Sequence, residues 1–282
     1  MIPRQNRLRY LLAGGFQQLA WTEWGPEQGA PVVCVHGLTR NARDFDALAA
    51  ALAAQGRRVL CPDLPGRGAS DWLPDPMLYT PPSYVVALAH LLARLDGPVD
   101  WVGTSLGGLC GMMVAAGRNT PLRRLVLNDI GSRVPATAAE RIAAYVGTRL
   151  VFPDVPALEA HLRKVHAPFG PLTDAEWRHL AEHSARRLPD GSITTHYDPD
   201  IAVPFRDAPT GPVDLAAIWS LVRLPTLVIR GAESDILDEE TAADMATRTG
   251  VELVTLPGIG HAPALMDPAQ IALVSGFLDA AR

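Results

Sequence analysis

The chain of 282 residues has no uninterrupted apolar run of the ~18 residues that a bilayer span requires, so no membrane partner is expected. Its first fifteen residues carry arginines but only a short apolar patch, Tyr10 to Ala13. A secretory signal needs a core of ~7–15 apolar residues, so a cytoplasmic location is expected. Basic excess is also missing: 25 Lys and Arg face 30 Asp and Glu, for a net charge of -5. Without a basic surface, and with aromatics at only 6%, the chain lacks the means to hold phosphate backbones or stack bases. No nucleic acid is expected to bind. The three cysteines, Cys34, Cys61 and Cys110, are odd in number and lie in apolar stretches, which suits small buried hydrophobes in a reducing compartment. Apolar residues make up 48% of the chain, enough for a sizeable core and too many for disorder. The length fits one large domain or two small ones.

Short β-rich runs alternate with helical patterns. Residues 9–24 read as a hairpin turning at Gly14-Gly15. Val32–Val35, Arg57–Cys61, Val99–Val102, Arg124–Asn128, Thr226–Arg230 and Val251–Thr255 follow, brief and continuous as strands buried on both faces should be. Helices are predicted at Ala42–Ala54, Ser83–Leu95, Leu106–Gly117, Asp238–Arg248 and Pro268–Ala281. This alternation implies right-handed crossovers and a mainly parallel α/β sheet. From Gly131 to Pro225 the rhythm fails: only helical segments stand out, at 136–150, 157–166 and 174–188. So long a stretch between two strands reads as an inserted helical cap. The expected division is a core of 1–130 and 215–282 with a cap of 131–214.

The strongest chemical signal is Gly103-Thr104-Ser105-Leu106-Gly107, after a strand and opening a helix. A serine at such a turn is lifted above the sheet edge, and the flanking glycines admit the close approach of neighbouring backbone. With 24 glycines and nine serines, the pattern should arise by chance about 0.07 times. A serine nucleophile needs a base, and His261 is the candidate, in a Gly/Pro-rich loop between the last strand and the final helix. The base needs a carboxylate to fix its tautomer. Asp235, in the loop after TLVIR, is preferred because its strand neighbours the one leading to His261; Asp129, directly after LVLN, is the alternative acid. Oxyanion donors are expected from the backbone N–H groups of Leu106 and Leu38. His36 is expected to tie the Leu38 loop structurally, and Asp63 to pair with Arg67 in the turn that follows. All these residues fall near strand ends, and in a parallel sheet those ends share one edge, where ligands bind.

The residues HG in VVCVHGLTR, DLPGRGAS, the elbow GTSLGG and the order Ser105, Asp235, His261 resemble the α/β-hydrolase superfamily. The resemblance implies an eight-stranded, mostly parallel sheet flanked by helices, with the second strand antiparallel, and a cofactor-free hydrolase working through an acyl-enzyme. Serine at the elbow argues against epoxide hydrolases and haloalkane dehalogenases, which typically carry aspartate there. A carboxylic ester hydrolase acting on a small-molecule ester of small or medium acyl length is expected, with hydroxy-acid oligoesters and lactones as further candidates. A carbon–carbon bond hydrolase and a non-catalytic small-molecule receptor on the same fold are the alternatives. A monomer or a homodimer would fit.

Phe152, Phe169, Trp177 and Phe205 are candidates either to line the pocket or to pack within the cap. His179-Leu180-Ala181-Glu182-His183 matches a zinc-binding helix pattern. With no third ligand evident, it reads as a solvated helix face, and no metal is expected.

Overall fold

A computed structural model describes residues 2–206 and 211–280. The chain begins with the hairpin β1 (Arg4–Leu12) and β2 (Gly15–Trp24), then β3 (Pro31–Val35), α1 (Asp46–Ala54) and β4 (Arg58–Pro62). Next come α2 (Pro81–Leu92), β5 (Val99–Thr104), α3 (Leu106–Ala115) and β6 (Leu122–Asn128). After β6 the chain leaves the sheet through β7 (Arg133–Val134), α4 (Ala136–Tyr145), β8 (Val151–Phe152), α5 (Val155–Val165) and α6 (Asp174–Ser184). The excursion continues with β9 (Ala185–Arg187), β10 (Ile193–Thr195), α7 (Val203–Arg206) and β11 (Val213–Asp214). Then α8 (Ala216–Trp219), β12 (Thr226–Gly231), α9 (Glu239–Ala246), β13 (Val251–Leu256) and α10 (Pro268–Asp279) complete the core. The predicted end of the last helix at Ala281 lies outside the described residues.

The main sheet has eight strands in the order β1-β2-β4-β3-β5-β6-β12-β13. Only β2 runs against its neighbours; the pairs from β4 to β13 are parallel. Its continuous apolar runs are explained by two covered faces. Val33, Val35, Trp101, Leu125, Leu127 and Val228 pack on the side of α2 and α3. Their alternating neighbours Val32, Cys34, Val102, Val126, Leu227 and Ile229 pack on the side of α1 and α10. The two-residue period of a strand thus feeds two separate cores. All three cysteines are free and buried. Among the described residues, no helix is long and apolar enough to cross a membrane.

The excursion between β6 and β12 forms the cap. Its root is the two-stranded pairing of Val134 with Val213 and Arg133 with Asp214. Contrary to the all-helical expectation, its described residues hold five short strands, three of them forming the sheet β8-β10-β9. The helix predicted to reach Leu188 stops at Ser184 and continues as β9. The chain then turns through Pro189-Asp190-Gly191, with Gly191 at φ 86°, where Leu188 N–H donates to Ser192 O at 2.8 Å. Strands of two or three residues carry too few side chains to show a period. Leu158, Leu162, Trp177, Leu180 and Ile193 of the cap form a small apolar cluster together with Met266 of the core.

Candidate active site

Ser105 sits between β5 and α3 at φ 51°, ψ -115°, a conformation that L-residues avoid and that persists only when its surroundings dictate it. Here they do. A side chain on Gly107 would collide with the carbonyl of Val35, and one on Gly103 with the backbone of Gly107 and Gly108. Ser105 N–H donates to Asn128 O at 2.9 Å, and Ser105 O accepts from Gly108 and Leu109 N–H at 2.9 and 3.0 Å. Trp101 Nε1–H donates to Gly107 O at 3.0 Å from below. These contacts fix the backbone that carries the hydroxyl.

His261 Nε2 lies 3.0 Å from Ser105 Oγ, and its Nδ1 lies 2.6 Å from Asp129 Oδ2. A carboxylate only accepts, so Nδ1 carries the proton and Nε2 faces the hydroxyl as an acceptor. Asp129 is wholly buried, with φ 57° at the end of β6. Its Oδ1 accepts from Gly231 N–H at 2.9 Å and its Oδ2 from Ser234 Oγ–H at 2.6 Å. The loop of His261 is fixed on two sides. Asn128 Nδ2 donates to Pro263 O at 2.8 Å, and Gly260 N–H donates to Pro168 O of the cap at 2.8 Å.

The carboxylate at the histidine is therefore Asp129, and the preference for Asp235 is corrected. Asp235 forms a two-pronged pair with Arg141 of α4, at 2.6 and 3.0 Å, and both side chains are about half exposed. Strand adjacency was sound, since β12 does pair with β13. The loop after β12, however, turns its Gly231 N–H and Ser234 hydroxyl toward Asp129. Ser234 Oγ also accepts from the N–H groups of Ile236 and Leu237 at 3.2 Å, which carries Asp235 outward. Ser234 was missed by the sequence reading; an oxygen-bearing side chain in a short loop at this sheet edge was its one available signal.

His36 ties its loop. Its Nδ1–H donates to Gly37 O at 2.7 Å, and its Nε2 accepts from Leu64 N–H at 2.9 Å. Burial pushes its pKa down to about 3, so it stays neutral. Asp63 and Arg67 do not pair, contrary to expectation. Asp63 accepts from Ala42 and Ala69 N–H at 2.8 and 2.9 Å, and burial lifts its pKa to about 6. Arg67, fully buried, donates to Leu38 O at 2.8 Å, to Pro65 O at 2.6 Å and to Tyr84 Oη at 2.8 Å. It is the bolt of the loop that contains Leu38. Among the described residues, Leu38 N–H has no hydrogen-bond partner. Leu106 opens α3, where a first-turn N–H lacks an intrahelical acceptor. Gly37 stands beside the elbow: a Cβ there would lie 3.7 Å from Ser105 Cβ.

A cavity of about 30 Å³ adjoins the elbow, lined by Gly37, Arg40, Thr104, Phe169, Leu180 and Pro263 among others. Phe169 thus lines it, while Trp177 belongs to the cap core with Phe152 packed against it, and Phe205 packs on the main core. His166 stacks on Phe169 at 4.5 Å. Burial first, then the charge of Arg40, holds it well below the ordinary histidine range.

The chain belongs to the alpha/beta hydrolase family, whose profile matches residues 32–272. It is similar to the 3-hydroxybutyrate-oligomer hydrolase of Cupriavidus necator, 42% identical over 99% of both chains. Esterase Rv0045c of Mycobacterium tuberculosis is 29% identical over 99% of this chain and 90% of its own. Among solved structures, an alpha/beta hydrolase from Novosphingobium aromaticivorans superposes with TM-score 0.88 at 39% identity, covering 99% of each chain.

Proposed function

We propose that the protein is a serine hydrolase that cleaves short hydroxy-acid oligoesters and related small carboxylic esters. The observation that carries the reading is the continuous chain from Asp129 Oδ2 through His261 to Ser105 Oγ, with spacings of 2.6 and 3.0 Å. His261 Nε2 takes the Ser105 proton as Oγ attacks the ester carbonyl. The N–H groups of Leu38 and Leu106 receive the oxyanion. Asp129 holds the imidazolium through Nδ1–H. His261 next protonates the departing alcohol, and a water activated by the same nitrogen releases the acid from Ser105. The end-to-end similarity to the Cupriavidus oligomer hydrolase spans the cap as well as the core, which supports an oligoester as substrate.

The test uses purified protein on 3-hydroxybutyrate trimer, p-nitrophenyl esters of increasing length and a vinylogous diketone. Release of hydroxybutyrate, abolished in Ser105→Ala by a factor of about 10⁶, supports the reading. Turnover of the diketone alone would replace ester cleavage by carbon–carbon cleavage. Failure of a fluorophosphonate probe to label Ser105 would favour a receptor.

A further inference from the structure

The expectation of a solvated face for His179 and His183 is not met. The helix α6 that carries them lies against the core, where His179 Nε2 approaches Asp46 Oδ2 of α1 at 3.4 Å. Asp46 is the third residue that the sequence pattern lacked. One donor atom from each of Asp46, His179 and His183 falls within 4.8 Å of the others. At metal–ligand bonds of ~2.0–2.2 Å, tetrahedral ligands stand about 3.3 Å apart. The His179–Asp46 pair is already at that spacing. The two rings meet edge to face, with centroids 4.5 Å apart, as residues i and i+4 on one helix face can.

The position is held at present by a cation of the protein itself. Arg43 binds Asp46 with Nε at 3.0 and 2.8 Å and with Nη2 at 2.5 Å, and its Nη1–H donates to His183 Nδ1 at 3.3 Å. Its carbonyl accepts from His179 Nε2–H at 3.0 Å. The Arg43 side chain is 28% exposed, so it borders solvent, into which an ion would displace it. A carboxylate and two imidazoles form a donor set suited to zinc and its neighbours in the transition series.

We propose that Asp46, His179 and His183 form a divalent transition-metal site that staples the cap to the core, with Arg43 as the resident cation that an ion must displace. On binding, His179 changes tautomer, its single proton passing through solvent from Nε2 to Nδ1, so that Nε2 leaves the Arg43 carbonyl and offers its lone pair to the ion. Asp46 and His183 exchange the guanidinium for the ion, and a water completes the tetrahedron. This site is separate from Ser105 and independent of the reaction proposed for it.

Zinc titration of tag-free protein against a chromophoric chelator tests the proposal. One equivalent should bind to the wild type, and His179→Gln, His183→Gln and Asp46→Asn should each lose it. Arg43→Gln, which removes the competing charge, should tighten binding on the order of tenfold. Zinc should also slow amide exchange in α6 in the wild type and leave it unchanged in His179→Gln. Equal zinc binding by the wild type and a His179→Gln/His183→Gln double variant would overturn the site, as would no stoichiometric binding at all. Weaker binding in Arg43→Gln would overturn the part assigned to Arg43.

Discussion

Asp129 divides its two oxygens among His261, Ser234 and the Gly231 N–H, and none of its surface meets water. An amide in its place offers the wrong partner to Nδ1 in one of its two orientations, so the imidazole loses its tautomer. Asp129→Asn should lower kcat by about 10⁴, whereas Asp235→Asn, which breaks only an exposed pair with Arg141, should change kcat by less than about threefold. Steady-state hydrolysis of a p-nitrophenyl ester compares the two. His36 makes a second prediction. Its folded pKa lies near 3 against about 6.5 unfolded, so the unfolded chain binds the extra proton first. The stability that a neutral His36 contributes is therefore present above pH 6.5 and lost as pH falls toward 3, at up to about 1.4 kcal/mol per pH unit. Asp63, raised to about 6, opposes this between pH 6 and 4, because its folded form takes up a proton earlier. Urea unfolding should show the stability gap between wild type and His36→Asn narrowing from pH 7 to pH 5. At this scale the sequence revealed Ser105 and His261, since a turn motif and a Gly/Pro loop mark them locally. It ranked Asp235 above Asp129 wrongly, because both follow strands at one edge and strand adjacency alone does not tell which carboxylate turns toward His261. The choice depends on which way the loop between β12 and α9, residues 232–238, folds.

The elbow works as one element: β5, the strained serine and α3 are compressed until only glycine fits at their crossing. Gly107→Ala would drive a methyl group into the carbonyl of Val35. Backbone cannot yield as a flexible side chain can, so a loss of about 1–3 kcal/mol or more is expected, seen as a lowered Tm. Strands β3 to β6, β12 and β13 were legible as brief, mostly apolar runs, and β1 and β2 through the hairpin turn at Gly14-Gly15. The cap strands were not: β7, β8 and β11 depend on partners distant in sequence, and β9 and β10 have only three residues each. The Pro189-Asp190-Gly191 turn between β9 and β10 was the local clue that went unused. Asp46 was likewise invisible as a companion to His179: only the packing of α6 on the first core helix brings them together.

In the whole molecule the cap packs an apolar cluster onto Met266 of the core, and Leu158 within it has no exposed surface. Leu158→Ala should cost about 2–5 kcal/mol locally and speed amide exchange in α5 and α6. Exchange in β5 and β6, which belong to other clusters, should stay slow. The cap meets the sheet at the rung of β7 with β11, where Val134 faces Val213. Residues paired across antiparallel strands have Cα atoms only ~4.5–5.5 Å apart. Everything between them is thus a detour that departs and returns through one doorway. A different stretch of chain could be grafted at that doorway while Ser105 and Asp129 keep their supports in the core, provided that it again offers an acceptor where Pro168 O now takes Gly260 N–H beside His261, so this architecture lets most of the enclosure be exchanged while the chemistry beneath it is kept.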